Sequence, residues 1–130
     1  MENLVFLIDS NVFLEGLLEQ KQSDKVQSFL GKADVESLYI TNFSLHSIGV
    51  LLTRAKKIKL FRNFVNDVIL NKIKVLSIGS EDLNQVIENI EKYSIDFDDA
   101  YQYTIAKFYN LQIVSFDKDF DKTDLKRIEP

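Results

Sequence analysis

The sequence predicts an α/β domain, a central and mainly parallel sheet of four or five strands in a three-layer α/β/α arrangement. Three observations predict it. Short apolar runs alternate along the chain with longer segments of helical periodicity. Runs such as Leu4-Val5-Phe6-Leu7-Ile8 are apolar throughout, as strands covered on both faces are. Two of the runs close on aspartate, Asp9 and Asp117. Right-handed crossovers gather strand carboxyl ends on one rim, where such sheets bind ligands.

Residues 4–8 are too short a run for a helix and read as the first strand. Ser10 or Asn11 can cap the helix that follows, which carries Val12, Phe13, Leu14, Leu17 and Leu18. A second helix runs from Asp24 to about Gly31, with Val26, Phe29 and Leu30 inward. Leu38-Tyr39-Ile40 is a short strand. Thr41 or Asn42 caps a helix with Leu45, Ile48, Leu51 and Leu52 on one face. Leu60, Phe61, Phe64, Val65, Val68 and Ile69 repeat at helical spacing. Lys74–Ile78 is a strand. Ser80, with acids in the first turn, opens a helix that buries Leu83, Val86, Ile87 and Ile90. A helix from about Asp98 to Tyr109, a strand over Gln112–Phe116 and a last short strand at Lys126–Ile128 complete the order.

The length suits a single domain, residues 1–130. A hydrophobic content of 45% argues against disorder, and one Pro with four Gly leaves no visible linker. No apolar stretch reaches a membrane span, and Met1-Glu2-Asn3 lacks the basic residues of a signal peptide. The absence of Cys removes disulfides, thiolate metal sites and Cys nucleophiles together, and fits a reducing cytoplasm. The net charge of −4 runs against the basic balance usual in nucleic-acid binding. The exception is the run Arg54-Ala55-Lys56-Lys57-Ile58-Lys59. It is either a solvated helix junction or, through Arg54, Lys56, Lys57 and Lys59, a surface that tracks phosphates.

Phosphate-binding glycine loops, the H-E-x-x-H metal motif and the G-x-S-x-G nucleophile motif are all absent from the sequence, and His46 is the one histidine. What remains is acidic: Asp9, Asp96, Asp98, Asp99, Asp117, Asp119 and Asp121. Each has a bland reading. Asp9 can cap the next helix. Asp98 and Asp99 favour the amino end of a helix dipole. Asp117, Asp119 and Asp121 alternate with Lys118, Phe120 and Lys122 as in a polar turn. Independent caps need not fall on one rim, however. Carboxylates gathered there repel unless a cation sits among them, which points to a divalent metal.

Three segments resemble the PIN-domain family. Asp9-Ser10-Asn11 is similar to its opening D-x-N. Asp99-Ala100, within Asp96–Ala106, is similar to its D-A-x-x-x-A-x-A helix. Ser115-Phe116-Asp117-Lys118-Asp119-Phe120 is similar to its T-x-D-x-D-F block, with Ser in place of Thr. The resemblance spans nearly the whole chain and is nearest to toxins of VapC type. It implies a PIN-like fold and a metal-dependent ribonuclease using Mg²⁺ or Mn²⁺. By position, Asp9, Asp99 and Asp117 are the implied catalytic metal ligands. Asp96 and Asp119 are auxiliaries, and Asn11 and Ser115 orient them. The implied partners are RNA, an antitoxin protein and a second copy of the chain, paired through the amino-terminal helices at Phe13, Leu14, Leu17 and Leu18.

One departure stands out. The family carries a Glu on the helix after the second strand, and the matching residue here is His46. Losing a carboxylate weakens a site for Mg²⁺, while a neutral imidazole suits Mn²⁺ better. His46 therefore reads either as a replacement ligand or as the mark of a module that binds RNA or a protein without cutting. Near the rim, Phe43 or Tyr101 can stack on a base. A receiver-like regulatory domain also gathers Asp at a strand rim, but Asp9 has no acidic companion at that end and the match is poorer.

Overall fold

The computed structural model describes residues 4–130; Met1-Glu2-Asn3, read above for the lack of a leader, lie outside the described residues. The chain runs β1 (Phe6–Ile8), α1 (Ser10–Leu17), α2 (Ser23–Lys32), β2 (Leu38–Thr41), α3 (Asn42–Arg54), α4 (Ile58–Leu70), β3 (Lys74–Leu76), α5 (Leu83–Tyr93), α6 (Phe97–Tyr109) and β4 (Gln112–Val114). Short 3₁₀ turns at Val35–Ser37, Ser80–Asp82 and Lys118–Lys122 complete it. The four strands form one sheet in the order β3-β2-β1-β4, and every pairing is parallel.

The order explains where a ligand belongs. The chain steps outward from β1 to β2 to β3, then returns to the other side of β1 as β4. The reversal lies between β1 and β4, and a parallel sheet opens a crevice at such a switch point. Asp9 follows β1 and Asp117 lies just beyond β4, so both stand at that crevice.

Strand side chains alternate between faces, and two cores result. Ile8, Ile40 and Val114 point toward α1–α4, where they meet Val12, Val26, Ile48, Leu52, Phe64 and Val68. Leu7 and Ile113 point the other way, onto Val86, Ala100, Ile105 and Phe120. Helix α6 is the most enclosed element, with every residue from Asp99 to Ala106 buried. No described helix is long and apolar enough to cross a membrane.

Several local expectations need correction. Neither Ser10 nor Asn11 occupies the cap of α1. Asp9 does, and its side chain makes no capping bond because it is engaged elsewhere. Thr41 caps α3 by accepting from the Ser44 amide at 2.9 Å. Leu51, Ile69 and Ile87 are exposed, not inward. Each lies beside a residue that is buried (Leu52, Val68 and Val86), so the true apolar stripe is one residue narrower than the pattern suggested. The helix after Ser80 begins as a 3₁₀ turn, and strands 74–78 and 112–116 end at Leu76 and Val114. The last strand is reduced to one parallel bridge, Val114 with Ile128. Phe13 is buried, and Leu14, Leu17 and Leu18 are partly buried against the same core.

Candidate metal centre

Local chemistry places each acid. Asp96 is the amino cap of α6: its Oδ1 accepts from the Asp99 amide at 3.0 Å. That bond fixes the first turn and sets Asp98 and Asp99 on neighbouring bearings, one toward Asp9 and the other toward Asp117. After β4, Asp117 Oδ1 accepts from the Asp119 amide at 2.9 Å and starts the 3₁₀ turn that holds Asp119 beside it.

The result is a group of three. Asp99, Asp117 and Asp119 each offer a carboxylate oxygen, and these oxygens lie within 4.8 Å of one another. Among the described residues no other group of three or more acids or histidines meets that condition. Asp99 is 2% exposed, and its Oδ2 is buried with no hydrogen-bond partner among the described residues. A buried acceptor without a donor is costly and rare. The Asp119 carboxylate makes an exposed contact with Lys122 at 3.5 Å.

Asp9 stands beside this group and not in it. Its Oδ2 accepts from Ser115 Oγ at 2.6 Å, and its Oδ1 accepts from Gln102 Nε2 at 3.0 Å and, weakly, from Ser10 Oγ at 3.4 Å. Ser115 Oγ in turn accepts from the Asp117 amide at 2.9 Å and from Asn11 Nδ2 at 3.3 Å. Asn11 Oδ1 accepts from the Phe116 amide at 3.4 Å. Asn11 and Ser115 thus tie the end of β1 and the start of α1 to the loop after β4.

Charge crowding shows in the proton affinities. Burial pushes the Asp99 carboxyl up to about 8, with the charges of Asp117 and Asp96 adding to it. Burial also pushes Asp98 up to about 6, reinforced by the charge of Asp9 and opposed by a bond from Gln102. Asp9 is raised by burial as well, while its bonds from Ser115 and Gln102 pull the other way.

Other residues fall elsewhere. His46 is exposed and lines an open groove of about 930 Å³ with Asn42, Phe43, Arg54, Phe97 and Tyr101. It does not join the three carboxylates. Tyr101 is only 6% exposed, and its hydroxyl donates to Asn42 Oδ1 at 2.8 Å. Phe97, which the sequence had not singled out, is the open ring of that cluster. Arg54, Lys56, Lys57 and Lys59 are exposed around the turn from α3 to α4, with Arg54 alone bordering the groove. Asp121 pairs with Arg127 and belongs to the surface. The residue missed by sequence reasoning is Gln102. It is fully buried and bonded to both Asp9 and Asp98. Its signal was there, a polar residue four positions after Asp98 on a helix otherwise buried.

The PIN domain family matches residues 6–126. No curated protein matches the sequence. Solved structures share the fold, among them the following three. VapC20 of Mycobacterium tuberculosis, described as a sarcin–ricin loop cleaving toxin, is 14% identical, with 96% of this chain and 99% of that one covered and a TM-score of 0.81. FitAcB from Neisseria gonorrhoeae is 18% identical over 95% and 96% of the two chains, with a TM-score of 0.75. VapBC2 from Rickettsia felis, bound to a DNA fragment from its promoter, is 14% identical over 98% of each chain, with a TM-score of 0.72. Matched over almost all of its length and carrying its acids at one switch-point crevice, the chain belongs to the PIN-domain family.

Proposed function

We propose that the chain is a divalent-metal-dependent endoribonuclease that hydrolyses RNA phosphodiester bonds, and that it acts as the toxin of a toxin–antitoxin pair. The observation that carries this reading is the buried, unpartnered Asp99 Oδ2 beside Asp117 and Asp119. An all-oxygen, all-carboxylate donor set suits Mg²⁺ or Mn²⁺ and disfavours softer ions. Asp99, Asp117 and Asp119 would hold the ion. When bound, such an ion supplies Lewis acidity to a water and to the phosphate. Asp9, through Ser115, keeps the Asp117 loop in place, and Asn11 steadies the same hydroxyl. Asp96 acts from the second rank by capping the turn that carries Asp99.

Partners follow from the same reading. The toxin VapC20 is described as cleaving the sarcin–ricin loop, and FitAcB and VapBC2 share the fold, which supports RNA as substrate and an antitoxin as partner. Arg54, Lys56, Lys57 and Lys59 offer the basic surface an RNA backbone needs. Pairing of two copies and a cytoplasmic site of action belong to the proposal in the same way. The test is cleavage of a structured RNA pool with Mn²⁺ and with Mg²⁺, beside the Asp99→Asn control. Cleavage that needs the ion and Asp99 supports the reading; cleavage that survives in the control or without metal removes it.

A second reading has one observation in its favour. His46 replaces the family's acid and faces an open groove instead of the carboxylates. A module that binds RNA or a protein partner without cutting would give no product in the same assay with either ion.

A further inference from the structure

Asp117 and Asp119 lie on one short stretch, from Ser115 to Asp121, and a residue outside that stretch reaches both of its ends. Arg127 Nη1 donates to the Ser115 carbonyl at 3.1 Å, two residues before Asp117. Its Nε donates to Asp121 Oδ1 at 3.0 Å, two residues after Asp119. Nη1 also donates to Glu129 Oε1 at 3.0 Å. Arg127 lies one residue past the stretch that matches the PIN domain family.

The guanidinium is itself held. The Ile128 amide donates to the Ile113 carbonyl at 2.8 Å, and the Ser115 amide donates to the Ile128 carbonyl at 3.0 Å, so the backbone beside Arg127 is stitched to the end of β4. The Arg127 side chain is 12% exposed, while Asp121 and Glu129 are half exposed. An ion pair between exposed groups would contribute little. A shielded guanidinium is different: its N–H directions are fixed by a rigid plane, so it dictates where its acceptors lie. Ser115 matters most among them, because its hydroxyl already joins Asp9 to the Asp117 amide. Phe120, fully buried, pins the middle of the same stretch. Carboxylates placed in advance need no ordering when an ion arrives, which favours binding.

We propose that Arg127 is a positioning residue of the metal centre: it clamps Ser115 and Asp121, the two flanks of the acid-bearing turn, and so holds Asp117 and Asp119 at the spacing an ion requires. The inference rests on the metal reading proposed above. Among the described residues Arg127 bonds neither Asp117 nor Asp119, so it acts through the backbone between them.

The test is Mn²⁺ titration of the full chain by calorimetry, beside hydrogen exchange of the Asp117 and Asp119 amides in metal-free protein. Arg127→Gln should weaken Mn²⁺ binding by about tenfold or more, and both amides should exchange faster. Arg127→Lys keeps the charge without the fork and should lose affinity in the same way. Asp121→Asn should add no further loss to Arg127→Gln, because both act through one clamp. Val26→Ala, in the opposite core, lowers stability away from the turn and should leave Mn²⁺ affinity and both amides unchanged. Wild-type affinity in folded Arg127→Gln or Arg127→Lys overturns the clamp and leaves the metal reading standing. So does an equal loss in Val26→Ala, which would make the effect one of general stability. If Arg127→Gln does not fold, Asp121→Asn is read alone: affinity and exchange equal to wild type overturn the inference. No Mn²⁺ on wild type overturns the metal reading itself, and this inference with it.

Discussion

Asp9 and Asp99 are both aspartates, both almost fully buried, and both at the same rim, yet their surroundings are opposite. Asp9 accepts from Ser115, Gln102 and Ser10. Asp99 keeps one oxygen with no donor and faces Asp117 and Asp119. The first carboxylate holds two loops together. The second lies against two other carboxylates with one oxygen left without a donor.

The contrast can be broken most forcefully at Asp99. Asp99→Asn should lower metal-dependent RNA cleavage by about a hundredfold or more, because one of three ion-holding carboxylates is gone. Mn²⁺ binding should fall with it, measured by calorimetry. In metal-free protein at pH 8 the same change should raise the melting temperature, since a repelled charge is removed. A drop there would mean Asp99 is satisfied by something unseen.

Ligand binding to the folded state alone comes next. At about a hundredfold excess over its dissociation constant, Mn²⁺ should add about 2.7 kcal/mol of stability, a rise of several degrees in melting temperature. Wild-type melting that ignores both Mn²⁺ and Mg²⁺ would remove the support for a metal centre.

Ser115→Ala probes the other half. It strips Asp9 of a 2.6 Å bond and the Asp117 amide of its acceptor, so chemical denaturation should show a loss of about 1–3 kcal/mol without any metal present. An unchanged midpoint would show that the tie between the two loops is not structural.

The pH dependence sharpens the comparison further. Asp99 is raised to about 8 in the fold, from an unfolded value of about 3.9. Between those values the unfolded chain has released a proton that the folded chain keeps. The folded state binds more protons, so stability falls as pH rises through the window and levels off above about 8. Asp98, raised to about 6, adds to the lower part of the window. Metal-free melting curves from pH 4 to 8 should show this decline, and saturating Mn²⁺, which takes the place of the proton, should flatten it. A rise over that range would reverse the assignment.

The smallest expected effect is at His46. It is exposed and outside the carboxylate group, so His46→Glu should change Mg²⁺ affinity by less than about threefold, as a screened surface charge does. A larger gain would bring position 46 back into the centre.

Much of this was legible in the sequence. The unbroken run ending at Ile8, followed by Asp9, gave a strand and its rim, although the strand is only Phe6–Ile8 and Leu4 is exposed. The block Ser115-Phe116-Asp117 gave the partner rim, and the helix from Asp99 gave the third wall. These readings work because backbone periodicity and burial are local properties of adjacent residues. Exposure of Leu51, Ile69 and Ile87 was not legible, because a helical stripe of leucine and isoleucine does not say how wide its neighbour is. The cap of α1 was legible only in part: Asp9 sits at that position, as one reading had it, but its side chain is bonded to Ser115 and Gln102 and does not cap.

By itself the sequence determined the alternation of strands and helices, the parallel sheet it implies, and the gathering of acids at one edge. The tertiary structure decided which of those acids are satisfied. Gln102 reaches an aspartate 93 positions earlier, and Ser115 reaches the same one from 106 positions later. No local pattern carries such pairings, because a hydrogen bond depends on where side chains arrive in space and not on their spacing along the chain.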